Sequence, residues 1–91
     1  MTEVTAEEKI EKACEEAFEK FQKLGSDEFK EIVSKLEFVL VSYRADGNPV
    51  GLYEIAEKSL EILQEYKKLK PRQVSKKLIE TLEKAIELQH T

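Results

Sequence analysis

Apolar residues return at three- and four-residue steps along nearly the whole chain, the spacing that gathers side chains onto one face of an α-helix. Ile10, Ala13, Cys14, Ala17, Phe18, Phe21 and Leu24 form a first stripe. Phe29, Ile32, Val33, Leu36, Val39, Leu40 and Tyr43 form a second, and Leu52, Ile55, Ala56, Ser59, Leu60, Leu63 and Tyr66 a third. Val74, Leu78, Ile79, Leu82, Ala85, Ile86 and Leu88 complete the series. Glu54, Glu57, Lys58, Glu61, Glu65 and Lys68 fill the far side of the third stripe, as a helix half in water requires.

The residues between the stripes read as helix stops and starts. Thr5 and Glu8 have the spacing of a capping box at the head of the first helix. Gly25 suits the left-handed cap that ends it. Ser26 then serves as the next N-cap, with Asp27 and Glu28 favouring the positive end of the helix dipole. Asn48-Pro49 starts the third helix, since proline's missing N–H costs nothing in the first turn. Pro71 ends it, because the residue before a proline resists the helical conformation.

These signals predict helices over 6–24, 27–45, 49–69 and 72–89, each about 25–30 Å long. Helices of similar length joined by short links predict an all-α, four-helix, up-down antiparallel bundle, with residues 1–91 as one domain. The alternative is an α+β fold. "EFVLVSYR" is rich in residues that suit strands, and Asp46-Gly47 can turn a β-hairpin over residues 38–56. The helical spacing that runs up to this stretch and resumes after Gly51 favours the bundle.

Composition agrees with a compact helical protein. Of 91 residues 41% are hydrophobic and 37% charged, with only three Gly and two Pro. The net charge of −4 is the wrong overall sign for a protein devoted to phosphate backbones. A single cysteine excludes an internal disulfide and a multi-cysteine zinc site. The N-terminus is acidic and polar, and no segment approaches the roughly 20 apolar residues that span a bilayer. A soluble, cytoplasmic protein without a membrane partner is the expectation.

One loop carries candidate chemistry. From Asp46 to Glu57 the chain echoes the calcium-loop pattern of EF-hand proteins. Asp46, Asn48, Gly51, Glu54 and Glu57 fall at its first, third, sixth, ninth and twelfth positions. The pattern breaks at Val50, which brings no oxygen, and at Pro49, which brings no N–H. The loop therefore reads as a link between helices, and no metal or cofactor is expected.

Catalytic groups are equally scarce. His90, the only histidine, stands next to the last residue. Cys14 lies on an apolar stripe, where a thiol without a cationic neighbour stays protonated. Glu7, Glu11 and Glu15 read as a solvated ridge. No enzyme is expected.

Two surfaces remain. Lys67, Lys68, Lys70, Arg72, Lys76 and Lys77 form a basic run without an acid. Phe38 and Val41 point away from the stripe centred on Leu36 and Leu40, beside the small Ser34 and Ser42. Phe38 is either an interface residue or a core residue of a rotated helix. The leading expectation is a non-enzymatic module that binds an unidentified protein partner or itself. A regulator that holds nucleic acid or another anion on the 67–77 corner is the alternative, and it is not favoured because no aromatic residues interleave with the lysines.

Overall fold

A computed structural model describes residues 6–88 of the chain. Four α-helices follow one another, α1 Ala6–Leu24, α2 Lys30–Asp46, α3 Val50–Leu69 and α4 Lys76–Glu87, with no strand among the described residues. They pack as the antiparallel bundle that the apolar spacing predicts, with overall dimensions of 36 × 23 × 23 Å.

The hairpin alternative is overturned. Residues 38–46 continue α2, which ends where Gly47 takes φ 73° and donates its N–H to the Tyr43 carbonyl. Strand-like composition gives way here because Ile32, Leu36 and Leu40 recur at helical spacing and all three are buried. Gly25 caps α1 in the same left-handed fashion, at φ 62°, with its N–H on the Phe21 carbonyl.

In cross-section the bundle is a rhombus. α1 touches each of the other helices, α3 does the same, and α2 and α4 flank this central pair. Small residues make the short diagonal: Ala13, Cys14 and Ala17 on α1, and Ala56 and Ser59 on α3, are all fully buried. The Cys14 thiol reaches the Leu52 carbonyl of α3 at 3.4 Å. At one end an aromatic cluster ties three elements together. Phe29 packs against Phe21 with the rings tilted by 48° and centroids 4.9 Å apart, and meets Tyr66 edge-on at 5.2 Å.

Two helix starts differ from the expected ones. Ser26 is extended, as an N-cap should be, but its hydroxyl caps nothing. Its carbonyl accepts the Phe29 N–H at 3.0 Å and so opens a 3-10 turn, Asp27–Phe29, ahead of α2. The fourth helix begins at Lys76 rather than 72. The chain first turns through Pro71–Gln73, with the Gln73 N–H on the Lys70 carbonyl. Ser75 then caps α4 by accepting the Leu78 N–H on its hydroxyl at 3.2 Å. Val74, just before the cap, and Ile79, four residues after it, are both buried, the arrangement of a hydrophobic staple. The Thr5 cap, residue 89 and His90 lie outside the described residues.

Candidate interaction surfaces

The outer side of α2 stays uncovered. Phe38 is 71% exposed and Val41 60%, so within a single chain neither belongs to the core. The inner side of the same helix buries Ile32, Leu36 and Leu40. At 100° per residue Ser34 and Ala45 extend the line of Phe38 and Val41, and both are exposed. Ser34, Phe38, Val41 and Ala45 are thus spaced four, three and four residues apart. That rhythm keeps one seam of a helix turned toward a partner helix. The end residues are small enough for close approach, and Phe38 and Val41 supply the knobs.

The basic run does not form one patch. Lys67 and Lys68 flank Pro71 and Ile79 in an open depression between α3 and α4. Lys77 instead lines the far side of α4, where it faces Lys20 and Lys23 of α1. Lys70, Arg72 and Lys76 are exposed on the link and on the first turn of α4. The run is divided because α4 starts at Lys76, and consecutive residues on a helix point 100° apart.

The polar side chains of the calcium-like loop fold back on the link itself. Asp46 accepts the Asn48 N–H on Oδ1 at 2.9 Å, and Asn48 accepts the Val50 N–H on Oδ1 at 3.1 Å. The second bond supports the start of α3, the part that Asn48-Pro49 is expected to play. Glu54 and Glu57 stand on the exposed side of α3. Among the described residues no three His, Cys, Asp or Glu side chains gather to hold a metal ion.

Cys14 is fully buried, and burial together with the nearby Glu15 and Glu11 pushes its pKa up to about 12. It is a core residue with a protonated thiol. The Glu7-Glu11-Glu15 ridge is not simply solvated. Arg44 of α2 reaches across to α1, placing Nε 3.0 Å from a Glu11 carboxylate oxygen and Nη2 against Glu15. These contacts hold the Arg44 pKa above its ordinary value, the Glu11 hydrogen bond first among the causes. No sequence signal joins residues 29 and 33 positions apart, so this clamp was not foreseeable.

Ser59 was placed in the core stripe, and its hydroxyl is buried without a hydrogen-bond partner. The lysines of α1 escaped notice for a different reason. Lys9, Lys12, Lys20 and Lys23 lie on one flank of the helix and Glu11 and Glu15 on the other, which a helical projection reveals and a linear charge run hides. Among the described residues no helix is long and apolar enough to cross a membrane. Comparison with protein-family models, with curated proteins and with solved structures found no match to this chain.

Proposed function

We propose that this chain is a non-enzymatic association module that pairs with a second copy of itself through the outer seam of α2. The reading is carried by Phe38 and Val41, exposed on a helix whose opposite side is already packed. Two further features support it. The four-three-four spacing fits a helix laid alongside, and the four residues of the line are all uncharged, with Glu37 and Arg44 at its edge beside Val41. Covering the two apolar side chains returns about 2–4 kcal/mol in one chain, given how much of each is exposed. A two-fold pairing uses the seam twice and doubles that gain, which bears on the several kcal/mol that association costs. The one cysteine, Cys14, is buried with a protonated thiol and is unsuited to act as a nucleophile.

The test is mass measurement by light scattering across a concentration series, for the wild type and for Phe38→Asp. The expected result is a concentration-dependent dimer that the substitution converts into a helical monomer of unchanged thermal stability. A wild type that stays monomeric at the highest concentration rejects self-association. A Phe38→Asp protein that unfolds shows that Phe38 packs inside its own chain.

A further inference from the structure

The first and last helices enclose a groove. Two adjoining hollows, of about 690 and 310 Å³, run between α1 and α4 and share Glu16, Lys77 and Thr81 in their walls. Lys9, Lys12, Lys20 and Lys23 descend one wall from α1, and Lys77 and Lys84 rise on the other from α4. Leu78, Ala85 and Leu88 lie at the floor between them, Leu88 half-buried and the other two buried in the core. From Lys9 to Lys23 the groove follows about 21 Å of helix at 1.5 Å per residue.

Charge sets this groove apart. Its six lysines outnumber the three glutamates in the same walls, Glu16, Glu19 and Glu87, so the groove is positive in a protein whose net charge is −4. None of the six takes part in an ion pair among the described residues, and the same holds for Lys58, Lys67, Lys68, Lys70, Arg72 and Lys76, but only in the groove do such lysines face each other across two helices. Positive charge on both walls of a trough with apolar surface at one end is complementary to a partner with carboxylates along its sides and an apolar ridge beneath.

We infer that the α1–α4 groove is a docking site for an acidic amphipathic helix of a partner protein. A helix of about 14 residues matches the length of the groove. Its leucine-type residues, at three- and four-residue steps, meet Leu88 and the aliphatic stems of the lysines, and its flanking carboxylates meet the lysine ammonium groups. Nucleic acid fits less well. No aromatic side chain lines the hollows to stack a base. Glu16 stands in both hollows and opposes an acidic ligand at the midpoint, so it sets the position where the partner tolerates no carboxylate.

The experiment is an amide chemical-shift titration with a probe peptide of about 14 residues, leucines at helical spacing and glutamates elsewhere. A peptide of the same composition in scrambled order and an oligonucleotide of matched charge serve as comparators. The Phe38→Asp protein is used alongside the wild type, so that pairing through α2 and docking in the groove are read separately. The expected shifts fall on Lys12, Thr81, Lys84 and Ala85. Lys12→Glu combined with Lys84→Glu weakens binding about tenfold or more, while Lys67→Glu combined with Lys68→Glu changes it less than about twofold. Glu16→Gln strengthens binding severalfold. Circular dichroism verifies that each variant is folded. Shifts located elsewhere, no shift at millimolar peptide, equal binding of the scrambled peptide or the oligonucleotide, or concentration-dependent groove shifts without peptide each overturn the proposal.

Discussion

Ser59→Ala should make this protein more stable, although it removes a polar group from a well-packed helix. Ser59 sits in the middle of α3, is fully buried, and its hydroxyl has no hydrogen-bond partner. In the unfolded chain that hydroxyl is bonded to water, so folding strips it of a partner and returns nothing. The penalty for a buried unsatisfied group of this kind is about 1–3 kcal/mol. Alanine also forms helix more readily, by a few tenths of a kcal/mol. Against these stands the void left by one oxygen atom, which at about 24 cal/mol per Å³ costs only a few tenths of a kcal/mol. The net expectation is a gain of about 1–2 kcal/mol. For a domain of this size that raises the melting temperature by about 5–10 °C. Urea denaturation followed by circular dichroism at 222 nm measures it, provided the slope against urea is unchanged. A loss of about 1 kcal/mol or more refutes the reasoning and shows that the hydroxyl is bonded in solution, to water or to the helix's own backbone.

Four other outcomes follow from the same geometry. Cys14 holds its proton to about pH 12 when folded, against about 9 when unfolded, so its contribution to stability is complete below pH 9 and falls as the pH climbs between those values. The slope approaches about 1.4 kcal/mol per pH unit, and denaturation at several alkaline pH values should show it flattened in Cys14→Ala. Burial raises Tyr43 and Tyr53 in the same direction, so the variant retains a residual decline. Gly47→Ala forces a Cβ onto φ 73° with nothing nearby to clash, so the cost is purely conformational, about 1–2 kcal/mol by denaturation. Ser75→Ala removes the cap on the Leu78 N–H and should cost about 1 kcal/mol, with faster hydrogen exchange confined to the first turn of α4. Arg44→Gln lowers the denaturation midpoint at low ionic strength only, because salt screens the exposed clamp to Glu11 and Glu15.

The architecture was legible because each helix buries a single stripe, and a stripe is a property of local spacing. The same holds for the cap at Gly25, where one residue type answers one backbone requirement. The start of α4 was legible too but was read from the wrong signal. Pro71 marks an end, whereas Ser75 between Val74 and Ile79 marks the beginning, and only the second pattern satisfies the free N–H groups of a new helix. Phe38 stood between two readings because a modest rotation of α2 exchanges its inner and outer sides. The observed register leaves it in water. The Arg44 clamp and the lysine groove were out of reach, since each is assembled from helices distant in sequence.

That groove has a consequence for how the molecule comes together. Three of the helix contacts join neighbours along the chain and close short loops, the kind of pairing that forms early and fast. The packing of α1 on α4 is different: it joins the first helix to the last, and it involves the shortest of the four. The walls of the groove meet only when this ring of helices has closed. Any helix bound there is a clasp across the seam, gripping the closed form and finding no grip on a chain whose last helix has swung away. For a ligand that binds only the closed groove, binding and closure are one equilibrium, so its concentration adds to how firmly α4 stays docked.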